Sequence, residues 1–167
     1  SPRSIEVAAR VVDKPMDEWI SYAFKQTVHH LRPLWMPAFK RGDLAFTEPN
    51  RLAAVLNETG GKAVLESLKG LVDSDELDPK SKSSAIGAIL AVGGSDDLNH
   101  YGLNRRQFTR DGRYEPALHA RALSRLIEAA RFRDVRPAGE FAATLMSLIV
   151  HEHWELKANA VRLAGVW

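Results

Sequence analysis

Apolar residues recur at helical spacing in short segments along the whole chain, and each segment ends at proline, glycine or aspartate. Ala120, Leu123, Ile127 and Ala130, for example, lie three or four residues apart, which places their side chains on one face of a helix. No segment alternates apolar and polar residues at every second position with β-branched enrichment, so we expect no strand and no sheet. The pattern predicts an all-α chain of about eight to ten helices joined by short turns.

The residues that divide these segments also indicate where helices begin and end. Asp78-Pro79 predicts a helix start, because aspartate is a good N-cap and proline suits the first helical position. By the same rule, Pro116 and Pro137 should each open a helix. Gly93-Gly94 and Asp111-Gly112 each predict the end of the helix that precedes them.

One segment departs from this regular pattern. Pro33 and Pro37 lie four residues apart, and each removes a backbone N–H that a helix would use. We therefore expect a short or kinked element here, with Trp35 as an anchor, rather than a long regular helix. Asp13 or Asp17 is the expected cap of the helix that precedes it.

The composition fits one folded domain that spans residues 1–167. The chain is 45% hydrophobic and 26% charged, and its length is typical of a single domain. No apolar run is long enough to cross a bilayer, so we expect no membrane insertion. The chain has no cysteine, which excludes disulfides, thiol nucleophiles and haem attachment through Cys-x-x-Cys-His.

Arginine is concentrated in one part of the sequence. Between Arg105 and Arg136 there are nine arginines and four acidic residues, a net charge of +5, although the whole chain carries only +2. Arginine suits bidentate recognition of carboxylates and phosphates, and a solvated helix face is the other interpretation of the same run. The residues that we predict to contact an acidic protein or polyanion are Arg105, Arg106, Arg110, Arg113, Arg121 and Arg125.

The aromatic residues also allow two interpretations. Phe108, Tyr114 and Phe132 are interleaved with these arginines, as in a groove that binds nucleic acid. The tryptophans would likewise suit a stacking platform, but their helical spacing favours a place in the core. These tryptophans are Trp19, Trp35, Trp154 and Trp167.

The histidines offer one weak metal-binding candidate. His151 and His153 flank Glu152, and imidazoles two residues apart point in different directions on a helix. They would converge only in a turn, and a metal site would need a third ligand. A turn between helices with exposed polar residues is the plainer interpretation. His100 and His119 stand alone, which is typical of packed or capping histidines.

The sequence of residues 17–39, DEWISYAFKQTVHHLRPLWMPAF, is the most distinctive stretch. It resembles a segment of very large secreted bacterial proteins that are named membrane-bound dehydrogenases or haem-binding-domain proteins. Residues 97–103, 136–139 and 163–167 are similar to further segments of the same family. Residues 157–165 also resemble the second helix of a HEAT unit.

In that family a propeller similar to sugar dehydrogenases comes first, HEAT-like helices follow, and a c-type cytochrome domain comes last. The resemblance implies that this chain is the helical middle region, a HEAT-like α-solenoid of antiparallel helix pairs. It also implies an extracytoplasmic location, periplasmic or secreted, and a haem c only in a downstream domain, with no cofactor in this chain. The chain has no initiator methionine and begins within a helical pattern, so we expect a piece excised from a larger protein.

These observations predict a non-catalytic scaffold of a larger redox protein. Its stacked helices would hold neighbouring domains, an acidic protein or a polyanion, with the arginine-rich segment as the contact. Two alternatives stay open. One is a nucleic-acid-binding HEAT-like module similar to the DNA glycosylases built on such repeats. The other is a small metal-dependent enzyme that uses His151, Glu152 and His153.

Overall fold

The protein is mostly helical. The computed structural model describes residues 1–167 and contains nine α-helices and one two-stranded hairpin. The prediction of a helical chain with about this number of helices is confirmed. None of the helices combines the length and the apolar character that a membrane-spanning segment needs. The α-helices are α1 (Ser4–Ala9), α2 (Glu18–Lys40), α3 (Pro49–Thr59), α4 (Leu65–Asp73), α5 (Pro79–Val92), α6 (Ser95–Asp97), α7 (Pro116–Arg133), α8 (Ala142–Ile149) and α9 (Trp154–Ala164).

Several short elements lie between the α-helices. A π-helix at Leu98–Leu103 follows α6 directly. Strands β1 (Thr109–Arg110) and β2 (Arg113–Tyr114) pair in the antiparallel sense. The chain also has 3-10 turns, at Arg10–Asp13, Lys62–Val64 and Arg105–Phe108.

The hairpin contradicts the expectation that the chain has no sheet. Asp111-Gly112, which we expected to end a helix, is the turn between β1 and β2. Both residues have positive φ, +48° at Asp111 and +75° at Gly112, as a type I′ turn requires. Each strand has only two residues, so the alternating pattern that predicts a strand has no room to develop.

The chain divides into two compact units, residues 1–85 and 86–167, and the division falls inside α5. In the first unit α1, α2 and α3 pack against one another, and α4 packs against α3. That the chain forms a single domain stays a prediction. The largest fully buried side chains of this unit are Ile5, Trp35, Leu56 and Leu68.

The expectation of a short element at the two prolines is wrong, because α2 runs through both of them for 23 residues; that the helix is kinked there stays a prediction. Proline at positions 33 and 37 deprives the carbonyl groups of His29 and Pro33 of their helical donors. His29, Pro33 and Pro37 form one exposed stripe, so water can reach these carbonyl groups. On the buried side, the Trp35 Nε1–H donates to the carbonyl oxygen of Val28 over 3.3 Å.

Most helix starts follow the predicted signals. Asp17, rather than Asp13, caps α2: its Oδ1 accepts a hydrogen bond from the Ile20 N–H over 2.8 Å. Asp78 caps α5 in the same way, accepting from the Ser81 N–H over 3.0 Å. Helix α7 begins at Pro116, as predicted.

Pro137 does not open a helix, and α8 begins only at Ala142. The chain after Pro137 is held elsewhere, because the Ala138 N–H donates to the Ser95 carbonyl oxygen over 2.9 Å. Gly139 then has a φ of +76°, which a continuing helix does not allow.

The second unit is arranged around α7. This helix packs against α9 and against the π-helix, and α8 packs against α9. Gly102 of the π-helix lies directly on α7: a Cβ at this position would come within 2.8 Å of the Leu126 methyl groups. The largest fully buried side chains of this unit are Ile89, Leu90, Leu98, Leu103, Leu123, Leu126, Leu156 and Leu163.

The tryptophans do not share one environment. Trp35 is fully buried, as a core position requires, but Trp19 is 81% exposed and Trp154 is 71% exposed. The core interpretation is therefore wrong for Trp19 and Trp154. Both lie in the first turn of a helix and on its outer side, where helical spacing alone does not separate an inner from an outer apolar face.

The close approach at Gly102 generates a stability prediction. We expect Gly102→Ala to lower the free energy of unfolding by about 1–3 kcal/mol, because the added Cβ would overlap the side chain of the fully buried Leu126. The matched control is Gly70→Ala in α4, where no atom lies within 4 Å of the added Cβ. There we expect a gain of about 0.5–1 kcal/mol from helix propensity. Urea unfolding measures both, and equal effects would contradict the close packing at Gly102.

Candidate interaction site at an arginine hairpin

Four of the predicted arginines lie in one short segment, residues 105–114, which we call the arginine hairpin. It consists of the 3-10 turn Arg105–Phe108 followed by β1 and β2. Arg110 and Arg113 are directly opposite each other across the hairpin, on either side of the Asp-Gly turn. Like charges in this position repel and weaken strand pairing, so the pair does not serve the stability of the hairpin itself.

These guanidinium groups have little internal compensation. The one carboxylate within salt-bridge distance is that of Asp111, and it lies 3.9 Å from the Arg110 Nε on an exposed surface. Arg105, Arg106 and Arg113 make no salt bridge, and all of them are exposed. Their hydrogen-bond donors are therefore available to an external anion.

Arg105 is held in a defined position despite its exposure. Its guanidinium carbon lies 4.2 Å from the centre of the Tyr114 ring, a cation–π contact. The turn that carries it is capped by Asn104, whose Oδ1 accepts from the Arg106 N–H over 3.1 Å. The planar edge of the Arg105 guanidinium is thus fixed before any partner arrives.

Tyr114 in turn is anchored to a buried histidine. His119 of α7 is fully buried, and its Nδ1 lies 2.7 Å from the Tyr114 hydroxyl oxygen. Its Nε2 lies 3.1 Å from the Gly102 carbonyl oxygen. A carbonyl oxygen can only accept, so Nε2 carries the hydrogen and Nδ1 accepts from the Tyr114 hydroxyl. Both nitrogens of a neutral imidazole are satisfied.

The environment of His119 keeps the ring uncharged. Phe108 stacks on it with ring centres 4.1 Å apart and planes only 11° apart. The pKa of His119 is lowered to about 4, mainly because the ring is buried; the hydrogen bond to Gly102 raises the pKa, and the nearby charge of Arg105 lowers it by a smaller amount. Burial likewise raises the pKa of Tyr114 to about 12, so the phenol keeps its proton. This arrangement is a structural anchor and not a poised acid–base pair.

The remaining predicted arginines do not join this cluster. Arg121 follows His119 by two residues, which places it on the opposite, exposed side of α7. Arg125 lies one turn further along the same exposed side and pairs with Glu128 at 2.8 Å. The six predicted contacts therefore occupy two surfaces rather than one.

One arginine of the run serves the fold. Arg133 was counted in the charge of the segment, but its guanidinium donates to the carbonyl oxygens of Leu90, over 2.9 Å, and Gly93. These carbonyl groups belong to the last turn of α5 and the residue that follows it, where helical donors are missing. Arg133 therefore closes the end of α5 and is not available to a partner.

The histidines predicted as metal ligands bind backbone N–H groups at the start of α9. His151 and His153 lie in the turn before α9, and the His153 Nδ1 accepts from the Leu156 N–H over 3.4 Å. The His151 Nδ1 accepts from the His153 N–H over 3.0 Å. One nitrogen of each ring is thus engaged with the backbone. No three histidine or acidic side chains of residues 1–167 come together as metal ligands.

Comparison with other proteins adds no further assignment. No protein-family model matches the chain, and no curated protein or solved structure matches it. The arginine hairpin and its buried anchor are therefore the chain's own evidence for a function.

The anchor generates a second stability prediction. We expect Tyr114→Phe to lower the free energy of unfolding by about 1–3 kcal/mol, because it leaves the buried Nδ1 of His119 without a donor. Tyr22→Phe is the matched control, since Tyr22 is 61% exposed and its loss of a hydroxyl should cost almost nothing. Chemical denaturation of both variants at pH 7 tests the difference. An unchanged stability in Tyr114→Phe would mean that the hydroxyl does not anchor the hairpin.

Proposed function

We propose that the chain is a non-catalytic helical scaffold that binds an acidic protein surface through the arginine hairpin. The observation that carries this proposal is the set of exposed guanidinium groups without carboxylate partners, Arg105, Arg106 and Arg113, together with Arg110. They project from a segment that is fixed to the core by Tyr114 and His119. Charges that repel one another within the free protein gain most when an external anion neutralises them.

Carboxylates suit this surface for a geometric reason. An arginine guanidinium presents parallel N–H groups that match the two oxygens of a carboxylate. Arg110 and Arg113 stand as neighbours across the hairpin, so one acidic segment can engage both. The partner in this proposal is an acidic protein, either a neighbouring domain of the same longer chain or a separate one.

The wider architecture is part of the same proposal. We propose that the helices stack as a HEAT-like α-solenoid of antiparallel pairs, and that the chain is the middle region of a secreted redox protein. The sequence resemblance of residues 17–39 supports this reading. In it, the location is extracytoplasmic, haem c belongs to a downstream domain, and the scaffold holds neighbouring domains in register.

A nucleic acid is the alternative partner, because basic and aromatic residues alternate in the hairpin. The structure makes this alternative weaker. Phe108 is 3% exposed and stacks on His119, and the Tyr114 ring already carries the Arg105 guanidinium. Phe108 therefore offers no face on which a base could stack, and one face of the Tyr114 ring is covered, although Phe132 of the same arginine-rich segment is 84% exposed. A metal-dependent enzyme has no observation in its favour, since His153 caps α9, His151 accepts from the His153 N–H, and no third ligand lies with them.

Charge reversal tests the acidic-partner proposal. The variant Arg105→Glu/Arg106→Glu/Arg110→Glu is compared with Arg121→Glu/Arg131→Glu/Arg136→Glu, which changes the net charge equally at exposed positions outside the hairpin. Fluorescence anisotropy with labelled poly-L-glutamate, over a salt titration, measures binding. We expect the hairpin variant to lose at least about tenfold in affinity and the control less than about threefold.

Thermal unfolding of both variants shows whether the fold is retained, and we expect it to be retained because these side chains are exposed. Equal losses in the two variants, or binding that does not respond to salt, would contradict a specific acidic-partner site. Tighter and steeply salt-dependent binding of a DNA duplex than of poly-L-glutamate would favour the nucleic-acid alternative instead.

A further inference from the structure

We propose that His119 is an acid-sensitive latch for the arginine hairpin, so that proton uptake by its imidazole competes with docking of the hairpin on α7. The inference rests on the proposed function for its biological meaning, because it concerns regulation of the same binding surface. Its physical basis is the geometry around the ring, which stands whether or not the partner is an acidic protein.

A single segment covers the imidazole on two sides. Phe108 lies flat on one face of the ring, and Tyr114 closes the edge at Nδ1. Both residues belong to the arginine hairpin. Displacement of the hairpin from α7 therefore removes the stacking ring and the hydroxyl donor together, and it exposes Nδ1 to water. The remaining contact, from Nε2 to the Gly102 carbonyl oxygen, comes from the π-helix.

A second proton does not fit the docked state. In that state Nδ1 accepts the Tyr114 hydroxyl, so protonation would turn this acceptor into a donor and reverse the hydrogen bond. It would also place a positive charge on a side chain that is fully buried. A buried charge needs a partner of opposite sign, and the docked site provides none.

Of the groups that face His119, Arg105 and His151 disfavour its protonation, the Tyr114 phenol is uncharged, and only the hydrogen bond to the Gly102 carbonyl oxygen favours the charged ring. The hairpin contributes the Arg105 guanidinium and the Tyr114 phenol, and the turn before α9 contributes the His151 imidazole, whose ring centre lies 5.6 Å from that of Tyr114. The π-helix contributes only the Gly102 carbonyl group, and no carboxylate acts on the ring. With burial as the largest cause, these groups hold the pKa of His119 at about 4 while the hairpin is docked.

The pH dependence of hairpin docking follows from the difference between the pKa values of His119 in the docked and open states. We expect the ordinary pKa of 6.5 for His119 once the hairpin no longer covers it, above the value of about 4 in the docked state, so the open state should bind more protons between these values. Docking is fully favoured above pH 6.5 and becomes less favoured as the pH falls through this window, until it levels off near pH 4. From pH 7 to pH 5 the opening constant should rise about 20-fold.

Native-state hydrogen exchange of the whole chain tests the latch directly. The reporter is the Glu115 amide, which donates to the Phe108 carbonyl oxygen over 2.7 Å and closes the base of the hairpin. After correction for the intrinsic exchange rate, we expect its opening constant to rise about 20-fold from pH 7 to pH 5. The reference is the amide of Leu163 in α9, which should change much less. Equal changes at both amides would show unfolding of the whole unit and overturn the latch.

The variant His119→Gln removes the titration but keeps one donor and one acceptor for Gly102 and Tyr114. We expect the pH dependence at Glu115 to fall below about threefold in this variant. If the variant does not fold, the wild-type protein still decides the matter. Imidazole nitrogen NMR should show hydrogen on Nε2 at pH 7 and titration near pH 4, and titration at the ordinary value of 6.5 would overturn the proposal.

A last measurement separates the latch from the proposed function. An anion that binds the docked hairpin should slow exchange at Glu115, so we expect saturating poly-L-glutamate to protect this amide at pH 5. Exchange that depends on pH but not on poly-L-glutamate would overturn the acidic-partner function and leave the latch standing. Exchange that depends on poly-L-glutamate but not on pH would overturn the latch and support the function.

Discussion

The buried imidazole of His119 is the contact on which the arrangement around α7 depends. A neutral histidine removed from water must use both of its nitrogens, and here its partners come from two other pieces of chain. The π-helix provides the Gly102 carbonyl group and β2 provides the Tyr114 hydroxyl. Loss of either partner would leave a buried polar atom unpaired, at a cost of about 1–3 kcal/mol. One side chain therefore fixes both the π-helix and the hairpin against α7.

This contact also explains how a hairpin with only two residues in each strand can place two arginines directly opposite each other. An isolated hairpin is marginal in water, and the pair Arg110–Arg113 weakens it further. The stabilisation comes from outside the ladder, since Phe108 is buried against His119 and Tyr114 is hydrogen-bonded to it. A segment held in this way can keep its charges without internal partners, which is the property that a surface needs in order to bind an anion.

Sequence patterns predicted the parts of the fold that local interactions decide. Asp17 and Pro116 act within one turn of the helices that they begin, so their roles follow from their neighbours along the chain. The predictions failed where the local structure depends on groups that are distant in the sequence or on which side of a helix faces solvent. The prolines of α2 are tolerated because the carbonyl groups they leave without donors lie on its exposed stripe, and Arg133 meets its acceptors 40 and 43 residues away. The spacing of apolar residues along a helix shows neither which carbonyl groups water can reach nor which distant groups a side chain contacts.

The candidate site was predictable to a similar extent. The cluster from Arg105 to Arg113 is visible as a charge run, and His119 fits the expectation of a packed histidine. Its anchoring role was not predictable, because its partners are brought to it by a π-helix and a hairpin that the spacing of apolar residues does not reveal. The position of Arg121 was not predictable from the charge run either, because α7 places this residue on the side that faces away from the hairpin.

The proposed binding surface and the buried anchor share one side chain, Tyr114, and this has a physical consequence. Tyr114 presents its ring to Arg105 and its hydroxyl to His119, so the position of an exposed guanidinium depends on the state of a buried nitrogen. A surface held by apolar packing alone would respond little to protons between pH 4 and pH 6.5, because its anchor would have no group that titrates there. The choice of histidine at this point therefore couples the arginine hairpin to acidity without placing a titrating group on the surface itself.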